Sequence, residues 1–233
     1  METLPARAPS PGLFAAELLE VPGLLAAPLL PAVKLPVGHA EPVMVLPGFL
    51  AHDLSTIRLR RSLVAAGYLA RGWGLGFNLG ARVDLPARLA RQVEALAREA
   101  GQPVTLIGWS LGGIFAREIA KRIPQHVRLV VTLGSPFSGD LHANNAWRLY
   151  ELVNDHPVDD PPFEAHMAEK PPVPTVAMWS RRDGIIPPGC AAGGPGERDA
   201  AIEADCRHLG FAWARKGILA VGNVLADWLK RSG

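Results

Sequence analysis

The chain alternates short, wholly apolar runs with longer stretches in which apolar residues recur every three or four positions. The first pattern reads as strands buried on both faces, the second as amphipathic helices. "PVMVLPG", Pro42 to Gly48, is such a run and ends in a Pro-Gly turn. Ser55 or Thr56 is placed to cap a helix reaching Gly67, with Leu59, Leu63 and Ala66 on one face. "YLARGWGLG" gives a weaker strand and a glycine-rich loop. Asp84 opens the next helix, Pro86 sits in its first turn and Gly101 ends it, with Leu89, Val93, Leu96 and Ala100 as its stripe. "PVTLIGWS" is a strand, and Leu111 to Ile123 is a helix stopped by Pro124. "VRLVVTLGSP", "VPTVAMWS" and the weaker "AIEADC" complete the strands, and Ile218, Val221, Leu225, Trp228 and Leu229 mark a C-terminal helix.

This alternation predicts an α/β fold, a mostly parallel central sheet with helices on both faces. Residues 42–233 form the predicted domain. Residues from about 138 to 172 are polar, proline-rich and poorly periodic, apart from a possible helix at Asn145 to Val153. An insertion of that length reads as a small cap or lid. Ahead of the domain, residues 1–41 form an apolar segment. Between Glu20 and Lys34 lie thirteen uncharged residues, fewer than the ~20 of a membrane helix, and Pro22, Pro28 and Pro31 interrupt them. Arg7 is the only basic residue ahead of this run, so a signal peptide is not expected. The segment reads as one or two short amphipathic helices packed on the core of a cytoplasmic protein. Weak membrane-surface association is the alternative.

Composition narrows the function classes. The chain has 233 residues, is 48% hydrophobic and carries a net charge of +2, which suits one sizeable domain and gives no reason to expect a nucleic-acid partner. Its two cysteines, Cys190 and Cys206, form no CxxC pair, so a zinc site is not expected. Two free thiols in a reducing compartment is the simpler reading, and a disulfide joining them is the other.

In open parallel sheets, ligands sit at the carboxyl ends of the strands, and three such ends carry reactive side chains. Gly108-Trp109-Ser110-Leu111-Gly112 is a GxSxG pattern between a strand and a helix. Ser110 there is either a helix cap or a nucleophile lifted out of the sheet on a sharp turn, and its context favours the nucleophile. Serine needs a base. Of the seven histidines, His208 follows the last strand and precedes the last helix, the place for the base in the order Ser, Asp, His. His52, after the first strand, is its competitor. Asp183, in "WSRRDGIIPP", follows the preceding strand and can orient the base. A surface ion pair with Arg181 or Arg182 is the plainer reading of Asp183, and Asp205 is the runner-up for the acid. The backbone N–H of Leu111 and that of Phe49, in the "LPGFL" loop, are candidate oxyanion donors. Leu50, Trp109 and the cap are candidates for an apolar substrate pocket.

Together "PVMVLPGFL", "LIGWSLGGIFAREIA", "VVTLGSPF", "SRRDGIIPP" and "RHLGF" resemble the α/β-hydrolase superfamily and are similar to its bacterial esterase and lipase-like members. The likeness spans roughly Pro42 to Lys230 and leaves the N-terminal segment unexplained. Two positions depart from the common lipase pattern: Pro47-Gly48 stands where many lipases have His-Gly, and Trp109 stands where many have histidine. The resemblance implies a serine hydrolase acting on a small-molecule ester or lipid with no metal or organic cofactor. An acyltransferase or thioesterase on the same three residues is the alternative.

Overall fold

The computed structural model describes residues 7–230. Six strands form one sheet: β1 Pro42–Leu46, β2 Leu69–Gly72, β3 Val104–Trp109, β4 Val127–Leu133, β5 Thr175–Trp179 and β6 Ala200–Glu203. All neighbours are parallel, in the order β2-β1-β3-β4-β5-β6. The chain steps from β1 to β2 on one side, then returns past β1 to place β3 on the other. The order thus reverses across β1 and β3, and their C-terminal loops diverge there to leave a crevice.

Every residue of β1, β3 and β5 is buried, as their unbroken apolar runs require. Successive side chains alternate between two cores. Val43, Val45, Ile107 and Trp109 face one core. It is covered by α3 Ile57–Ala65, α8 Gly210–Trp213 and α9 Arg215–Lys230. Met44, Leu46 and Leu106 face the other. It is covered by α4 Leu85–Ala100 and α5 Leu111–Arg122. The chain between β4 and β5 holds α6 Trp147–Val153, and α7 Pro188–Ala192 follows β5.

The buried guanidinium of Arg117, on α5, ties down the return limb of the β4–β5 insertion. Its Nε donates to Met167 O at 3.1 Å, and one terminal nitrogen donates to the carbonyls of Ala168, Glu169 and Glu197 at 3.0–3.2 Å. The same group lies 4.0 Å from the centre of the Phe137 ring.

The N-terminal segment forms two short helices that run on into one another. α1 Pro11–Glu17 and α2 Val21–Ala26 are joined and extended by 3-10 turns at Leu18–Glu20 and Ala27–Leu29. Pro11, Pro22 and Pro28 each fall in the first turn of a piece, where a missing N–H costs nothing, so they do not break the run. By length and composition alone, Pro11–Leu29 (19 residues, mean hydropathy 1.4) is apolar enough to cross a membrane. Phe14, Leu18, Leu19, Leu25 and Leu29 lie on its exposed side, and Glu17 is buried beneath it.

Candidate active site

Ser110 stands between β3 and α5 at φ 54° and ψ −123°. A non-glycine residue in this region carries about 1–3 kcal/mol of strain. The surroundings hold it there: Ser110 N donates to Leu133 O at 2.8 Å, and Gly113 N donates to Ser110 O at 2.9 Å. Gly108 and Gly113 approach so closely that a Cβ on Gly108 would strike the Gly113 backbone. The serine makes no side-chain capping bond to α5, so the capping role is not the one it takes.

His208 and Asp183 are both buried, and the imidazole Nδ1 lies 2.8 Å from Asp183 Oδ2. Asp183 Oδ1 accepts from the amides of Ile185 (2.8 Å) and Ile186 (2.7 Å). Arg182 pairs instead with Asp205 at 2.9 Å, and both of those side chains are exposed. The ion-pair reading therefore belongs to Asp205, the other candidate acid. Gly134, at the end of β4, has φ 54°, and a Cβ there would lie 2.9 Å from Asp183 Oδ2 and 3.0 Å from His208 Nδ1. Only glycine leaves room for the pair.

Burial by itself pulls the His208 pKa down. The charge of Asp183, its hydrogen bond and the charge of Glu17 outweigh that, and the net shift is upward. The Cys206 thiol, two residues before the histidine, is pushed far up by burial and by the surrounding carboxylates, Asp183 first. Cys190 is pushed up to about 11 by burial and Asp140. Both cysteines are free and buried, which corrects the disulfide alternative.

Three side chains hold the loop carrying His208 through four hydrogen bonds. Trp109 Nε1 donates to His208 O at 3.1 Å. Ser180 Oγ, at the end of β5, donates to Cys206 O at 2.6 Å. Glu17 receives the amides of His208 (2.8 Å) and Leu209 (3.1 Å). The Trp109 and His208 rings lie 5.9 Å apart, which puts the imidazole beside the residue preceding Ser110. Among the described residues, no hydrogen bond joins the imidazole to Ser110 Oγ. Serine–histidine contacts of this kind are commonly long until a substrate tightens them.

Phe49 and Leu111 line the same pocket as Ser110. Among the described residues, neither backbone N–H has a hydrogen-bond partner. The loop carrying Phe49 is fixed by buried Asn78, whose side-chain Nδ2 donates to Pro47 O at 2.8 Å and whose backbone carbonyl accepts from Leu50 N at 2.7 Å. Sequence reasoning missed Asn78, and its signal was a lone amide in the glycine-rich "GLGFNLG" loop.

The pocket has roughly 610 Å³ of empty space, its open mouth included, and a mostly apolar lining. Ile114, Phe115, Trp147, Tyr150, Phe163 and Met167 contribute side chains from α5, α6 and the insertion. Leu50 and Trp109, expected in this wall, do not line it. Leu50 is turned to solvent. Trp109 falls on the face of β3 opposite α5, because side chains alternate along a strand. Of the other histidines, His52 uses Nδ1 to cap the 3-10 turn that starts at Asp53. His142, His156 and His166 lie in the β4–β5 insertion, and His126 lies at the N-terminal end of β4.

No protein-family description and no curated relative matches the chain. Solved structures do. A metagenome-derived lipolytic enzyme superposes with a TM-score of 0.62 at 17% identity over 86% of this chain and 99% of its own. An α/β-hydrolase enzyme from the metagenome of lagoon sediments at Mar Chica, Morocco, gives 0.55 at 22% identity over 84% and 93%. A soluble variant of monoglyceride lipase from Saccharomyces cerevisiae gives 0.57 at 14% identity over 84% and 90%. The chain therefore has the α/β-hydrolase fold.

Proposed function

We propose that the protein is a serine hydrolase of carboxylic esters. The observation that carries this reading is the buried Asp183–His208 pair, set against Trp109 next to a serine at positive φ on the pocket wall. In this reading Ser110 Oγ attacks the ester carbonyl as His208 Nε2 takes its proton. Asp183 fixes the tautomer with Nδ1–H toward itself and stabilises the imidazolium that forms. The free amides of Phe49 and Leu111 receive the negative charge that develops on the carbonyl oxygen. Collapse of the intermediate sends the proton from His208 to the leaving alcohol. Water, deprotonated by the same base, then releases the acid.

The apolar lining favours an acyl chain or aryl group over a charged one. A fluorophosphonate probe should label the wild type, and Ser110→Ala should abolish the labelling. Equal labelling of the variant would sink the assignment. A panel of p-nitrophenyl esters of increasing acyl length, run on both proteins, reports the preferred chain. Product analysis with an added alcohol acceptor separates hydrolysis from acyl transfer, and a thioester substrate tests the thioesterase alternative.

A further inference from the structure

Glu17 is placed against the grain of its own helix. Leu18 and Leu19 point to solvent, while the one carboxylate of α1 is buried. Burying an ionised carboxylate is costly unless its oxygens are satisfied. Here Oε1 accepts from Gly184 N and from His208 N, both at 2.8 Å, and Oε2 accepts from Leu209 N at 3.1 Å. Among the described residues no cation pairs with it; Arg207 pairs with Glu20 instead, at 3.2 Å. The three amides belong to the residue after Asp183, to His208 itself and to the residue after His208. A single side chain thus clasps the loop carrying the acid to the loop carrying the base.

Building on the hydrolase reading, we infer that Glu17 is a positioning residue of the triad: it sets the spacing of the Asp183 and His208 loops and adds a second negative charge behind the imidazole. The two effects have one direction. The imidazolium that forms as Ser110 attacks is held in place and is stabilised by Asp183 in contact and by Glu17 at longer range. The apolar N-terminal segment is then part of the catalytic framework. Other ionisable groups facing this cluster are few. Cys206 stays protonated because burial raises its pKa. Glu20 and Arg207 neutralise each other. Asp205 is engaged at the rim by Arg182 and Lys216, and Arg181 pairs with Glu203 at 3.3 Å.

The test is Glu17→Gln in the full chain, measured by ester hydrolysis against pH and by NMR titration of the His208 imidazole. The amide keeps an acceptor for Gly184 and His208, loses the charge, and turns an N–H toward the Leu209 amide. The expected result is a kcat lower by about tenfold or more with KM little changed. The acid limb of kcat/KM and the His208 midpoint should both move to lower pH. An unmoved acid limb together with an unmoved His208 midpoint would overturn the inference, whatever happened to kcat, because a brace without electrostatic effect would give that pattern. The NMR midpoint needs no turnover, so it stands even if Ser110→Ala proves as active as the wild type and the hydrolase reading falls. Should Glu17→Gln fail to fold, wild-type amide exchange decides. Slow exchange at Gly184, His208 and Leu209 is expected, and fast exchange at all three would overturn the clasp.

Discussion

The indole N–H of Trp109 donates to the backbone carbonyl of His208 at 3.1 Å, linking the residue before the serine to the proposed base. Trp109→Phe keeps most of the packing and removes the donor, leaving His208 O only its long 3.4 Å bond from Phe211 N, at a cost of about 0.5–1.5 kcal/mol. The urea midpoint should fall accordingly and kcat should drop. The acyl-length preference should not move, because Trp109 lies outside the pocket. A changed preference across the p-nitrophenyl series would put the indole in the substrate's path after all.

Asp183→Asn preserves shape and removes the charge beside His208. A drop in kcat of about 10⁴-fold is expected if the carboxylate holds the tautomer and stabilises the imidazolium. The wild-type acid limb of kcat/KM should lie above the ordinary histidine value of about 6.5, because Asp183 and Glu17 outweigh burial. In Asp183→Asn the His208 titration should move to lower pH. NMR titration of the imidazole reads this in both proteins.

The same upward shift has a stability signature. The folded state holds the His208 proton more tightly than the unfolded chain does. The resulting stabilisation is fully present below the unfolded value, about 6.5, and is lost as pH rises through the higher folded value. Urea midpoints measured upward from about pH 5 should show this fall, and Asp183→Asn should flatten it.

Tyr150 joins the β4–β5 insertion to the loop opposite. Its hydroxyl accepts from Ala81 N at 3.1 Å, and its ring lies 5.3 Å from that of Phe49. Tyr150→Phe should retain the ring contact, strand the Ala81 amide and cost about 1–3 kcal/mol. Faster proteolysis within the insertion would accompany the lower Tm. An unchanged Tm would show that the hydroxyl does not anchor the insertion.

Arg117→Lys is not a conservative change here. Burial pulls the guanidinium pKa down to about 10 against the opposing charges of Glu118 and Glu197, and a lysine cannot reproduce the planar fork that reaches four carbonyls. A loss of at least about 3 kcal/mol is expected. Denaturant unfolding measures it, and a loss below about 1 kcal/mol would refute the anchoring role.

The strands, and a parallel sheet with helices on both faces, followed from local pattern because each buried strand is a short apolar run bounded by Gly, Pro or a cap, whereas the strand order appears only in the fold. Ser110, Asp183 and His208 were legible for a related reason: each is a polar side chain just past such a run, where a parallel sheet opens its crevice. What stayed hidden depends on distant parts of the chain. Trp109 was assigned to the pocket because its neighbour faces it, and alternation along β3 sends the indole the other way. Glu17 belongs to no motif in the sequence, and only the docked helix reveals the amides it meets. Asn78 acts through the carbonyl of Pro47, and nothing near it in sequence announces that contact. Of the three prolines expected to interrupt the N-terminal segment, Pro22 and Pro28 open new turns and Pro31 lies past the last one.

The clasp between Glu17 and the His208 amide joins residues 191 positions apart. On the ribosome the carboxylate emerges early and its partners almost last. Until then a greasy helix with one acid on its inner side has nowhere to dock, and holding it soluble falls to whatever attends the nascent chain. The cluster closes only when both ends of the fold have met, so a chain interrupted before the last strand would lack His208 and leave Glu17 with one of its three amide partners.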